Sequence, residues 1–266
     1  MVPAYNRRSP PSLLQGRNIL LTGASSGVGR HLATMLAAEG AHLICCARRE
    51  AELATLVAEI ASSGGRATAQ CCDVSDAASI VQAFDAAELA AGGSIDSVIV
   101  NAGINHAGPA ARLPVEALDQ ILAVNLRGAF LTAREGARRM IASREANSDV
   151  PQRILFIASI LGRRPQAGAA VYSASKAGLL MLSRALALEW ARHGINVNAI
   201  LPGYMPTDIV AEWFDSAAGQ AQVGGWPRQR LMPVDELDSA VRFFLSADTR
   251  AVSGAELIVD DTQSLA

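Results

Sequence analysis

Short apolar runs alternate with longer amphipathic stretches along nearly the whole chain. Asn18-Ile-Leu-Leu-Thr22, His42-Leu-Ile-Cys-Cys46, Arg66–Cys72, Ser97-Val-Ile-Val100, Arg153–Ala158, Ile195–Ile200 and Glu256–Val259 each have the length and side-chain character of a strand. The stretches between them show helical spacing; the first carries Leu32, Met35 and Leu36 and the next is rich in Ala, Leu and Glu. Such alternation predicts an α/β fold, a doubly wound parallel sheet with helices on both faces, whose ligands bind beyond the carboxyl ends of the strands. Two stretches break the rhythm. Arg139–Gln152 is polar and expected to be exposed. Residues 204–233 form a long segment in which Met205, Ile209, Val210, Trp213 and Phe214 can close an apolar lid over a pocket, although Trp213 and Phe214 can equally pack into a neighbouring subunit.

Composition narrows the class of partner more than it refines the fold. At 266 residues, half of them hydrophobic and 5% aromatic, the chain can build one large aliphatic core, so a single domain over 14–266 is expected, with residues 1–13 as a loose arm. The formal charge of -2 favours neither nucleic acid nor an anionic membrane, and a small molecule is the expected partner. No apolar run approaches the ~20 residues of a membrane span, and Met1–Arg17 has no apolar signal core, so the expected location is cytoplasmic. Four cysteines fall as Cys45-Cys46 and Cys71-Cys72. Neither pair has metal or redox spacing, so no metal site is expected and both pairs read as buried structural thiols rather than as a disulfide.

The candidate chemistry lies where the apolar runs end. Thr22 leads into Gly23-Ala-Ser-Ser-Gly27-Val-Gly29 and then a helix, a turn suited to a diphosphate; its alternative is a turn of packing value only. The second run ends in Ala47-Arg48-Arg49, where an adenosine ribose is expected. With no acidic residue to take a 2′-hydroxyl, Arg48 and Arg49 suit a 2′-phosphate and point to NADP, with NAD as the alternative. Asp73 ends the third run and either accepts from an adenine amino group or caps the following helix. The fourth runs into Asn101-Ala102-Gly103, small enough for a cofactor to lie against. Farther on come Asn125, Ser159 and Tyr172-Ser-Ala-Ser-Lys176, a phenol and an ammonium on one helix face. A phenol ordinarily titrates near ~10, and a neighbouring cation makes its phenolate accessible. His106, after the fourth run, either reaches substrate or is simply solvated.

With Thr22-Gly-x-x-x-Gly-x-Gly29, Asn101-Ala-Gly103, Asn125, Ser159, Tyr172-x-x-x-Lys176 and Pro202-Gly-x-x-x-Thr207 in this order, the chain resembles the short-chain dehydrogenase/reductase family from about Leu14 to Val259. The resemblance implies a Rossmann-type fold and an enzyme that interconverts a ketone and a secondary alcohol, commonly as a homotetramer or dimer. It implies that Tyr172 is the acid or base, that Lys176 lowers its pKa and holds the nicotinamide ribose, that Ser159 binds the substrate oxygen, and that Asn125 positions a relay water. Ser159 as a strand-end hydroxyl and Asn125 as a backbone-bonding helix residue are the plainer alternatives. It carries cofactor contact over to Thr22, Gly23, Ser25, Gly27, Val28, Gly29, Arg48, Arg49, Asp73, Asn101, Gly103, Tyr172, Lys176, Pro202, Gly203 and Thr207. Two departures stand out. Ser26 replaces the basic residue that many NADP-preferring members carry before the second glycine, and Asp260-Asp261-Thr262 replaces a common Asp-Gly-Gly. A 3-oxoacyl thioester reductase is the rival within the class, and a cofactor-sensing regulatory protein the rival outside it.

Overall fold

The seven apolar runs form one sheet in the computed structural model, which describes residues 14–145, 150–207 and 210–266. The N-terminal arm and Ile209 lie outside the described residues. β1 (Asn18–Thr22), β2 (His42–Ala47), β3 (Arg66–Cys71), β4 (Ser97–Val100), β5 (Gln152–Ile157), β6 (Ile195–Pro202) and β7 (Glu256–Val259) pair in the order β3-β2-β1-β4-β5-β6-β7, all parallel. The expected doubly wound sheet is what forms. β6 runs two residues past its predicted end, so Pro202 closes the strand.

Side-chain alternation divides the core in two. Leu20, Ile44, Val98 and Phe156 face one side, where α3 (Ala77–Ala91), α5 (Ala129–Glu145) and α6 (Ala170–Trp190) cover them with Phe84, Met140 and Leu179. Ile19, Leu43, Ile99 and Leu155 face the other, under Leu36 of α1 (Gly27–Ala38), Leu56 of α2 (Glu50–Ser62) and Val241 of α9 (Asp238–Leu245). Each central strand is therefore buried on both faces, which is why these runs read as continuous rather than alternating apolar stretches. β3 is an edge strand with an exposed end, and this corrects the reading of the cysteines. Cys45, Cys46 and Cys72 are buried free thiols, but Cys71 is exposed. No described helix is long and apolar enough to cross a membrane.

The stretch 139–152 is buried at its two ends, where its polarity suggested exposure, while Arg144 and Val150 are exposed as expected and residues 146–149 lie outside the described residues. α5 continues to Glu145 and buries Arg139 and Met140, while Gln152 opens β5 from a buried position. Arg139 is concealed because carboxylates on two helices surround it: it donates to Glu135 at 2.8 Å, Glu88 at 2.6 Å and Asp85 at 2.6 Å, and lies over the Phe84 ring. Burial pushes the Glu135 carboxyl up, but bonds from Arg138 and Arg139 outweigh it and hold the group below its ordinary value. Removing the guanidinium leaves Glu135 with Arg138 alone and uncouples α3 from α5. Arg139→Met is expected to lower stability by on the order of 2–3 kcal/mol, read as a lower urea midpoint with an unchanged slope.

Candidate active site

β1 and β4 are neighbours although they are not consecutive, and the crossovers before and after them run in opposite directions. A crevice opens at such a reversal, beyond the strand ends. Its floor is fixed by hydrogen bonds rather than by packing alone. The Thr22 hydroxyl accepts from the backbone N–H of Asn101 at 3.1 Å and of Ala102 at 3.2 Å, and the Asn101 amide donates to the carbonyls of Thr22 and Gly23. Thr22 thus sits behind the cleft wall, holding it, and is not itself on the surface.

The glycine turn then starts α1 at the mouth of this crevice. Gly23 adopts φ 71°, and a Cβ on Gly29 would lie 2.1 Å from the Gly23 carbonyl oxygen, so neither position accepts a larger residue without moving the turn. Gly27, Val28 and the start of α1 present free backbone N–H groups to the cleft. At the end of β2, Arg49 donates to the Ser25 hydroxyl at 2.9 Å and the Ser26 hydroxyl at 2.6 Å, and Arg48 lines the same wall. The arginine therefore places its charge over Ser26, the position where the sequence lacked a basic residue. Asp73 lines the cleft as well. Burial pushes its carboxyl up, but two bonds from Ser75 and the charge of Arg48 outweigh it and hold the group low. Capping of α3 belongs to Asp76, which accepts from Ala78 and Ser79.

At the other end of the cleft Ser159, Tyr172 and Lys176 converge. Ser159 lies two residues past the end of β5; its Oγ accepts from the Leu161 N–H at 3.1 Å, which leaves the hydroxyl proton to engage Tyr172. The Lys176 Nζ is buried, donates to the Ile157 carbonyl at 3.0 Å and lies 5.6 Å from the centre of the Tyr172 ring. Asn125 is one layer behind them. It sits in a wider π-type turn, Ala123–Gly128, between α4 (Val115–Leu122) and α5, and its amide bonds both backbone groups of Ile104 and the Ser175 hydroxyl. This is backbone bonding across elements, not within its own helix, and it fixes the strand-end loop against α6.

The electrostatics correct one expectation. Burial pushes the Tyr172 phenol up to about 12; the Ser159 bond opposes this and the Tyr204 phenol adds to it. Lys176, whose Nζ donates to Ile157 rather than to the phenol, does not reverse the shift, and burial lowers its own ammonium to about 8. The phenol is thus protonated across neutral pH, ready to give a proton, and acts as a base only when the site ionises it.

Gly103, Pro202, Gly203 and Thr207 complete the expected lining. The described part of the 204–233 segment adds Tyr204, Met205 and Val210, and Ile104 joins them from the loop after β4. Ser26, Ile104 and Tyr204 were not among the expected site residues. The last two were legible by position, Tyr204 as the residue after Pro202-Gly203 and Ile104 as the residue after Asn101-Ala102-Gly103. Phe214 is buried behind Tyr204, Trp213 points elsewhere with its indole on Gln222, and His106 bonds Gln120 away from the cleft. The residues present fit a phosphorylated dinucleotide: a glycine turn with no room for a side chain, arginines and serines at one end, and a phenol and ammonium at the other.

Known proteins are similar to this chain in sequence and fold. The family model for short chain dehydrogenases matches residues 17–218. The chain is 35% identical over 259 residues to 3beta-hydroxysteroid dehydrogenase 1 of Eggerthella lenta, covering 95% of each chain. It is 34% identical over 248 residues to the 3-oxoacyl-(acyl-carrier-protein) reductase FabG of Escherichia coli, covering 92% of this chain and 96% of that one. A gluconate 5-dehydrogenase from Burkholderia cenocepacia solved with NADP and tartrate superposes with TM-score 0.88 at 33% identity, covering 96% of this chain and 98% of that one. Because Lys176 loses its proton above about 8, kcat/KM for the cofactor in the reductive direction, which reports the free enzyme, is expected to fall as pH rises through that value. A Lys176→Met variant should be weaker throughout and lack the inflection.

Proposed function

We propose, on the premise that the chain belongs to the short-chain dehydrogenase/reductase family, that it uses NADP(H) to interconvert a ketone and a secondary alcohol. The family identity makes it an oxidoreductase that acts on hydroxyl and keto groups with a nicotinamide cofactor. The observation that carries the finer reading is the two-ended cleft, with Arg48, Arg49, Ser25 and Ser26 at one end and Ser159, Tyr172 and Lys176 at the other.

A dinucleotide held by the glycine turn and Lys176 would supply hydride to a carbonyl carbon. The chain's own residues do the rest. The Ser159 hydroxyl holds the carbonyl oxygen, and Tyr172 gives that oxygen its phenolic proton as negative charge develops there, so that the alcohol forms and a phenolate remains. Lys176, when charged, stabilises that phenolate and meets the ribose hydroxyls. In the opposite direction the phenolate takes the alcohol proton. At the adenosine end, the arginines meet a 2′-phosphate with charge-assisted hydrogen bonds, which a 2′-hydroxyl cannot match.

The skeleton bearing the ketone faces Ile104, Tyr204, Met205 and Val210, a wall with one hydroxyl among four side chains. That favours an apolar, bulky carbon frame over a polyol. The three relatives described, similar to this chain to nearly the same degree, carry different activities in their names, so overall identity does not select among substrates. On the far side, Leu122, Leu126, Phe130, Met181 and Leu182 line an apolar groove between α4–α5 and α6, with Met181 59% exposed. We assign this face to a second copy of the chain, in a homodimer or homotetramer.

Tyr172→Phe is expected to reduce turnover by roughly 10²–10⁴ with NADPH binding retained; full activity in that variant would sink the mechanism. Arg48→Ala combined with Arg49→Ala should weaken NADPH by tenfold or more, about 1.4 kcal/mol, and leave NADH nearly unchanged in a fluorescence titration. A carbonyl panel containing alicyclic ketones, sugar acids and acyl thioesters tests the frame: preference for the thioesters would favour the 3-oxoacyl reductase reading.

A further inference from the structure

The C-terminal residues Asp260–Ala266 take no part in the chemistry above, yet they bond both Tyr204, which lines the cleft, and the loop between Ser159 and Tyr172. Gln263, 4% exposed, straddles Tyr204 with its side-chain amide: Oε1 accepts the Tyr204 N–H at 2.6 Å and Nε2 donates to the Tyr204 carbonyl at 3.2 Å. The same Nε2 reaches the Arg230 carbonyl at 3.5 Å, and the Met232 N–H donates to the Tyr204 carbonyl at 2.9 Å. The two stems of the 204–233 segment are thus stitched together by one amide. Asp261 adds a second tie. Its carboxylate, 8% exposed, pairs with Arg228 and Arg230, each at 2.8 Å. A further tie comes from Arg164, in the loop between Ser159 and Tyr172, which donates to the Ser264 carbonyl at 2.5 Å.

The backbone that presents these groups is strained. Asp261 and Thr262 both lie in the left-handed region, at φ 54° and 66°, where residues with a Cβ are disfavoured. The Asp260 carboxylate holds the turn by accepting from the Thr262 and Ser264 N–H groups at 3.0 and 2.7 Å. Consecutive residues in this region persist only where their surroundings over-determine them. The tail also presses on Gly203, where a Cβ would come within 2.6 Å of Gln263 Oε1.

At the far end of the stitch stands Tyr204. Its ring stacks on Trp226 at 5.4 Å and meets Phe214 edge-on at 5.1 Å, and its phenol bonds the Gln222 side chain, which also accepts from the Trp213 indole. Tyr204 lines the cleft beside Tyr172 and is near enough to act on it electrostatically. Its backbone is therefore set by the tail, and its hydroxyl by α8 (Ala217–Gly224).

We propose that the C-terminal tail is a latch for the substrate wall: Gln263 is a positioning residue that fixes Tyr204, and Tyr204 determines which carbonyl compounds fit beside Tyr172. The second half rests on the oxidoreductase reading of the cleft; the first does not. Gln263→Met keeps the bulk and removes the bonds, and Asp261→Asn keeps the shape and removes the charge pairing. Hydrogen exchange on each purified, ligand-free variant should show peptides within 204–232 exchanging tenfold faster or more, with the rest of the chain unchanged. With saturating NADPH, KM for the best ketone of the panel should rise fivefold or more, while kcat and the NADPH Kd stay within twofold. Wild-type exchange in 204–232 in both variants overturns the latch, and faster exchange with unchanged KM overturns the positioning role. A parallel loss of kcat and cofactor affinity marks a general packing role and also overturns it. Should Gln263→Met fail to fold, Asp261→Asn carries the same readings. Exchange needs no turnover, so failure of the oxidoreductase reading, judged by Tyr172→Phe, stays separate from failure of the latch.

Discussion

The hydrogen bonds between the ends of β1 and β4 are the constraint on which the cleft depends. At this seam the direction of winding reverses, and two strand ends that lead to opposite sides must stay side by side with nothing bridging them from above. The Thr22 hydroxyl accepting two N–H groups and the Asn101 amide donating to two carbonyls hold them there. Every one of these backbone groups lies where the ladder has ended, and left unpaired each would carry the cost of a desolvated polar group, ~1–3 kcal/mol. The glycine turn, the arginines after β2 and the phenol on α6 are all placed relative to that seam.

Burial dominates the reacting end. Tyr172 and Lys176 are pushed toward their neutral forms, one up to about 12 and the other down to about 8, because low polarity around them penalises charge more than they stabilise each other. The same burial strengthens the hydrogen bonds that remain. A site of this kind is poised to give a proton and becomes basic when charge is brought to it. The adenosine end is arranged on the opposite principle. Arg48 and Arg49 are exposed, and Arg49 is held by two serine hydroxyls with the Glu52 carboxylate 4.0 Å away, so its charge is oriented while only loosely paired.

The segment between β6 and α9 lines the same cleft through Tyr204, Met205 and Val210. Its stems are tied by side chains from the C-terminal tail, and its inner face is an aromatic cluster of Tyr204, Phe214 and Trp226 whose ring centres lie 5.1 to 5.7 Å apart. Rigid rings anchored at their base give a wall of defined shape, and this matters because one methylene in an apolar pocket is worth only ~1–3 kcal/mol of discrimination.

The seven strands, their parallel pairing and the presence of Ser159, Tyr172 and Lys176 at one end of the sheet were legible in the sequence, because the central runs, buried on both faces, are continuously apolar and because these groups stand at strand ends or one helical turn apart. Local pattern determines such features. What depends on distant partners was not legible. Arg139 reads as a surface residue until Asp85 and Glu88 from α3 are packed against it. Cys71 reads as a core thiol until β3 proves to be the edge strand. Thr22 and Asn125 read as cleft residues, and the tertiary structure places them behind the wall, where they hold it. The direction of the Tyr172 shift was likewise decided in three dimensions: spacing put a cation near the phenol, but only the packed site shows that burial outweighs it. Sequence by itself determined the fold and which chemical groups are present, since both follow from local periodicity and residue type. Burial, charge balance and the tie between the C-terminal tail and Tyr204 were settled by tertiary structure alone, since each is a property of groups brought together from distant parts of the chain.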